Sequence, residues 1–196
     1  MRKLLVTLAV LLLPALAASQ NLSTGTAPWT VVEQNGYNLG ATGTASVVTP
    51  TDADWYGGWV ANSPSSSWIA YDPANCCDNG LGDYSTTFVL TSGNISSAAL
   101  SGSWTLDDSG ELLLNGNVIA TLGNGNWGLL NSFTVPNSDF IVGTNTLEID
   151  ITSTDSYLEG VNLEGTLTTV TPEPTSLLLF GSGVLGLVVC CRKRLA

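Results

Sequence analysis

From residue 18 to residue 171 the chain contains no lysine, no arginine and no histidine. All five basic residues stand at positions 2, 3, 192, 193 and 194. Of the sixteen acidic residues only Glu173 lies outside that interval, which leaves fifteen carboxylates and no cationic side chain within it. Nucleic-acid binding is excluded, because neutralising phosphates takes Lys or Arg. Electrostatic binding to anionic lipid is excluded on the same ground. Ser-His-Asp hydrolysis, Schiff-base chemistry and phosphate clamping lose their indispensable residues. Internal salt bridges cannot form, so this region must tolerate its own repulsion or take up cations. Calcium is the natural candidate, a hard ion that prefers carboxylate and carbonyl oxygens.

Cysteine is also scarce. Cys190 and Cys191 sit at the end of an apolar run and count as apolar residues there. Cys76 and Cys77 are neighbours in a loop rich in Asp, Asn and Gly, and neighbours cannot staple distant parts of a fold. With no histidine and no other cysteine between residues 18 and 171, a zinc site lacks soft ligands. A vicinal disulfide and two free thiols both remain open.

Long apolar runs occur only at the two ends. Arg2 and Lys3 precede an apolar stretch from Leu4 to Leu13, then Pro14 and the small-residue pattern Ala15-Leu16-Ala17. This is the layout of a secretory signal peptide, residues 1–17, with cleavage expected after Ala17. At the other end Pro172-Glu173-Pro174 precedes an uncharged run from Leu177 to Cys191, closed by Arg192-Lys193-Arg194. As a helix the run is roughly 22 Å long, short for a bilayer core of about 30 Å. Thr175 and Ser176 can extend it and Arg192 can snorkel from the far end, giving a marginal transmembrane helix with a cytoplasmic basic tail.

That order of tripeptide, glycine-containing apolar helix and terminal basic cluster resembles the PEP-CTERM sorting signal, over residues 172–196. The resemblance implies a bacterial protein exported across the inner membrane and anchored by the helix. It would be read by an exosortase through Pro172, Glu173, Pro174, Arg192, Lys193 and Arg194, then passed to the cell surface or extracellular matrix. Thr171 stands where Val is expected before the first proline.

The intervening residues 18–171 have the length of one domain. From Ala27 onward, short β segments alternate with Gly, Asn, Asp, Ser and Pro, and no amphipathic helix of useful length appears. Strands are expected at Trp29–Val32, Ala45–Thr49, Trp55–Val60, Ser67–Tyr71, Ser85–Leu90, Ala99–Leu106, Glu111–Leu114, Val118–Leu122, Phe133–Val135, Thr146–Thr152, Tyr157–Leu163 and Thr166–Val170. A turn is expected at Asp107-Asp108-Ser109-Gly110, and Asn115-Gly116 between two apolar runs signals a tight hairpin. This spacing predicts an all-β fold, an antiparallel sandwich or jelly roll. The succession Trp59, Ser67-Trp68-Ile69, Thr87-Phe88, Trp104, Asp107-Asp108, Leu114-Asn115-Gly116, Gly143-Thr144-Asn145-Thr146-Leu147 and Glu159-Gly160-Val161 is similar to galactose-binding-like jelly rolls of PEP-CTERM proteins.

Without cationic side chains, the chemistry left is a carboxylate pair, the minimum for glycoside hydrolysis. Asp52 with Asp54, Asp107 with Asp108, and Glu159 with Glu164 are the candidates, and every one adjoins a turn signal. The loop Asp78-Asn79-Gly80-Leu81-Gly82-Asp83 has calcium-loop composition without the spacing of a helix-flanked calcium loop. Sugar rings present flat C–H faces that stack on Trp and Tyr. Trp68 and Trp104 are expected in the core, whereas Trp55, Tyr56 and Trp127, beside polar loops, are the expected ligand platform. The expected protein is therefore a non-catalytic exported surface or matrix protein with a neutral polysaccharide as ligand, structural calcium as its candidate cofactor and no catalytic residue. The competing classes are a glycoside-active enzyme using a carboxylate pair and an envelope protein–protein interaction module.

Overall fold

The computed structural model describes residues 16–34, 42–48, 58–71, 82–153, 159–171 and 183. Twelve strands lie among them: β1 (Leu16–Asn21), β2 (Thr30–Glu33), β3 (Thr42–Thr44), β4 (Ser46–Val47), β5 (Ile69–Ala70), β6 (Gly82–Leu90), β7 (Ala99–Asp107), β8 (Ser109–Leu114), β9 (Asn117–Leu122), β10 (Asn131–Thr134), β11 (Gly143–Ser153) and β12 (Gly160–Thr171). Sheet I runs in the order β10-β7-β12-β5-β4, with β1 also paired to β12. Sheet II runs β3-β2-β6-β11-β8-β9, and every pairing in both sheets is antiparallel. The all-β antiparallel sandwich expected from the strand spacing is the fold observed.

Side-chain alternation explains how the sheets stack. A strand sends successive residues to opposite faces, so one apolar set per strand faces the partner sheet. In β6 these are Tyr84, Phe88 and Leu90; in β11, Leu147, Ile149 and Ile151; in β8, Leu112 and Leu114. Sheet I answers with Leu100, Trp104 and Leu106 from β7, and Val161, Leu163 and Leu167 from β12. All are buried in one continuous core. The Asn115-Gly116 hairpin forms as expected: φ is +54° at Asn115 and +79° at Gly116, and Leu114 pairs with Asn117. Positive φ at both central residues is the geometry that matches strand twist in a two-residue turn.

Three expectations need correction. Tyr157–Leu163 and Thr166–Val170 are not two strands; residues 160–171 form the single strand β12. Gly165 does not interrupt it, because it keeps its place in the ladder opposite Gly102 of β7. Gly58, Trp59 and Val60 do not extend a strand from Trp55: they form a turn, a bend and an irregular residue. Nor does the turn expected at Asp107-Asp108-Ser109-Gly110 span four residues, since Asp107 ends β7 and Ser109 and Gly110 open β8. Asp108 is the single residue between β7 in sheet I and β8 in sheet II, and it is buried.

The start of β1 at Leu16 places the expected cleavage point after Ala17 inside a strand. Residues 1–15, Trp55, Tyr56, Asp52, Asp54, Asp72 to Leu81 with Cys76 and Cys77, Pro172, Glu173, Pro174, Arg192, Lys193 and Arg194 lie outside the described residues. Among the described residues no helix is long and apolar enough to cross a membrane.

Candidate functional site

Two constellations stand on the outer faces of the sandwich, one per sheet. On sheet I, Gly160 and Asn162 of β12 point away from the core, since Val161 and Leu163 point into it. Asp107 and Thr105 of β7 are their direct cross-strand partners and share that face. The face is roofed rather than open. Trp59 and Trp68 stack at 3.8 Å with 27° between their planes, and together with Val48 and Ala70 they form a second apolar cluster. Gly160 accommodates them, because a Cβ at that position would lie 2.7 Å from the Trp59 ring and 3.2 Å from the Trp68 ring.

Every polar tip in this roof is tied down. Trp59 Nε1–H donates to Asp107 Oδ2 at 2.7 Å, and Trp68 Nε1–H donates to the Val60 carbonyl at 2.7 Å. Asn62 bridges the cluster by accepting from the Trp68 backbone N–H and donating to the Val48 carbonyl, both at 2.7 Å. Trp127 packs half-buried against the same cluster, and the Val60 N–H donates to its carbonyl at 2.9 Å. Gly58 is tight against the Trp127 ring, where a Cβ would come 3.1 Å from Nε1. Trp68 and Trp104 are fully buried, as expected of core residues.

Beneath the roof, Thr105 donates through Oγ1 to the Asn126 carbonyl at 2.7 Å. Its neighbour Asn162 is 1% exposed, and among the described residues neither its Oδ1 nor its Nδ2 has a hydrogen-bond partner. Sequence reading missed Asn162, because an Asn between two apolar strand residues carries no mark of burial on both faces.

Sheet II holds the acidic constellation. In register, Glu111 of β8 faces Asp150 of β11, which faces Asp83 of β6. Glu148 lies two residues from Asp150 on the same face. Asp83, Glu148 and Asp150 bring one carboxylate oxygen each to within 4.8 Å of one another. Burial raises the pKa of Asp83, partly countered by a hydrogen bond from Gln34. Burial and then the Asp83 charge raise Glu148. Asp150 is pushed up to about 7, by burial first and then by Glu148, Asp83 and Glu111. It shares a hydrogen bond with Glu148, while its Oδ1 is buried without a partner among the described residues.

Such a triad has the donor chemistry of a hard-cation site, three carboxylates that water can supplement to the six to eight oxygens calcium takes. None of the three was paired with another in the sequence. Asp83 appeared there only as the end of a loop, and cross-strand register is what unites it with Glu148 and Asp150. The carboxylates singled out earlier are arranged differently: Asp107 is engaged by Trp59, Asp108 is buried at the connection from β7 to β8, and Glu159 precedes β12 while Glu164 lies within it.

The chain carries the PEP-CTERM protein-sorting motif over residues 170–194. Comparison with curated proteins finds no match. Among solved structures, the chain is similar to the CBM36-1 domain of a multidomain xylanase from the hindgut metagenome of Trinervitermes trinervoides, with 12% identity, 77% of this chain and 96% of that one covered, and a TM-score of 0.38. It is similar to a family 35 carbohydrate binding module from Clostridium thermocellum, at 13% identity, 77% and 97% coverage and a TM-score of 0.37. An FMN-binding β-glucuronidase from Facaelibacterium prausnitzii L2-6 aligns at 18% identity and a TM-score of 0.41, over 80% of this chain but 23% of that enzyme. At these scores the likeness bears on neither ligand nor activity.

Proposed function

We propose that the chain is an exported, non-catalytic surface or matrix protein of a bacterium, sorted by an exosortase and retained by a neutral polysaccharide. One observation carries the reading: the sorting motif begins at residue 170, inside β12, so the sandwich passes straight into its export signal. The exported domain has no cationic side chain with which to hold a uronate, sulfate or phosphate. Neutral sugars need aromatic faces and hydroxyl partners, and in this reading Trp127, half-buried at the edge of the roof on sheet I, supplies a face together with Trp55 and Tyr56, with the amide of Asn126 beside it. The triad Asp83, Glu148 and Asp150 is the site for a calcium ion that would offset the acidic charge.

The test is Glu173→Ala in the producing bacterium. The variant is expected to remain as full-length precursor in the inner membrane while the parent chain leaves it. Equal mass and location for both would mean a permanent anchor and would end the sorting part of the reading. Retention of the full-length chain on a neutral polysaccharide column tests the ligand separately.

A further inference from the structure

The sorting motif has no linker in front of it. Residues 170 and 171 belong both to the motif and to β12, and the apolar run begins at Leu177. The five intervening residues span at most about 17 Å when fully extended. A membrane-embedded enzyme acting there works within that distance of a folded sheet. How firmly the end of β12 is held therefore decides how much chain the enzyme can draw out.

Lateral restraint on β12 thins toward that end. The β7 ladder reaches only as far as Thr168, opposite Ala99. On the other side β1 pairs Ala18 with Thr169, Ala17 with Val170 and Leu16 with Thr171. Cleavage after Ala17 would remove the β1 partners of Val170 and Thr171 and leave the new N-terminus opposite Thr169. Among the described residues Val170 then has one lateral partner, the side chain of Ser97, at the end of the short 3-10 helix Ile95–Ser97. The Val170 N–H donates to Ser97 Oγ at 2.8 Å, and Ser97 Oγ lies 2.9 Å from the Val170 carbonyl. The hydroxyl has one hydrogen, which the Val170 carbonyl shares with that of Asn94, also at 2.9 Å. A serine side chain thus stands in for a missing strand at the root of the signal.

We propose that Ser97 is a positioning residue for sorting: it fastens Val170 to the sandwich, and release of residues 170 and 171 from that fastening limits access of the exosortase to Pro172-Glu173-Pro174. The inference rests on the proposed sorting. Processing would break a peptide bond beyond β12, pass the acyl group to water or to an acceptor nucleophile, and leave the amine on the apolar C-terminal segment.

The experiment is pulse-chase conversion of precursor to the sorted form in the producing bacterium. Ser97→Ala is expected to convert about fivefold faster, the factor that corresponds to about 1 kcal/mol of lost hydrogen bonding. Ser97→Thr keeps the hydroxyl and should convert at the parent rate. Six Gly/Ser residues inserted between Thr171 and Pro172 should also speed conversion, and Ser97→Ala should then add nothing. The melting temperature of the full-length chain in detergent should barely move with Ser97→Ala, which separates positioning from general destabilisation. An unchanged or slower rate for Ser97→Ala, or a full effect persisting with the insertion, overturns the proposal. If Glu173→Ala converts like the parent, the sorting reading itself fails and this inference falls with it.

Discussion

Asp83 and Asp150 face each other across β6 and β11, on the solvent side of sheet II, in a domain that has no cationic side chain to separate them. Two carboxylates directly opposite on neighbouring strands repel when both are charged. Glu148 and Glu111 crowd the same spot, and the outcome is a proton held by Asp150 up to about pH 7. The fold brings these residues together because Tyr84 and Ile149 must face the core, and that register fixes their acidic neighbours on the opposite face.

Stability without calcium should therefore fall as pH rises from about 4 to about 7. In that window the folded chain holds a proton on Asp150 that the unfolded chain has released, since the ordinary value is 3.8. Stability declines with pH wherever the native state binds more protons. Melting temperature in chelator should be higher at pH 5 than at pH 8. Asp150→Asn, which mimics the protonated carboxyl, should flatten that slope and exceed the parent chain at pH 8. A parental slope in the variant would locate the titration elsewhere.

Calcium should act in the opposite sense. A cation on Asp83, Glu148 and Asp150 must displace the Asp150 proton, so its affinity should climb with pH until that carboxyl is ionised. Millimolar calcium should raise the melting temperature more at pH 8 than at pH 5, because a ligand of the native state stabilises by mass action. Glu148→Gln should reduce that gain. The same gain from an equal ionic strength of sodium chloride would mean charge screening and no site.

How much of this was legible in the sequence follows from the range of each interaction. The strands, the Asn115-Gly116 hairpin and the burial of Trp68 and Trp104 are local or composition effects, readable from alternation and turn residues. Cross-strand register is not local. Asp83 and Asp150 are 67 positions apart by their numbers, and only the β6–β11 pairing makes them neighbours. Asn162 drew no notice, because nothing nearby in sequence says that a Trp59–Trp68 roof covers that face. β1 went unread for the same reason, its first two residues counted in the expected signal peptide: its partner, residues 166–171, lies at the other end of the domain.

Asn162 offers a test of that buried face in isolation. A buried amide without partners costs stability, whereas an apolar residue of similar volume loses nothing by being dry. Asn162→Leu should raise the melting temperature of the full-length chain, whereas Asn162→Asp should lower it sharply by burying a charge with no counter-ion. A lower melting temperature for Asn162→Leu would show that the amide is satisfied in solution and that its polarity contributes to the fold.

The three tryptophans of sheet I's outer face should separate by burial. Trp68 is fully buried, stacked on Trp59 and bonded to the Val60 carbonyl, so Trp68→Ala should cost about 3–5 kcal/mol and leave little folded protein. Trp59→Phe should be milder, since the ring stack survives and the loss centres on the bond to Asp107. Trp127 is only partly covered, and its anchor to Val60 runs through the backbone, which survives a side-chain change. Trp127→Ala should therefore lower the melting temperature modestly while reducing retention on a neutral polysaccharide, an effect multiplied when many copies share one surface. Urea melts of the three variants, followed by column retention of those that fold, measure both quantities. Were Trp127→Ala to unfold the domain as Trp68→Ala does, its ring would belong to the roof's packing, and the saccharide platform would have to be sought at Trp55 and Tyr56 alone.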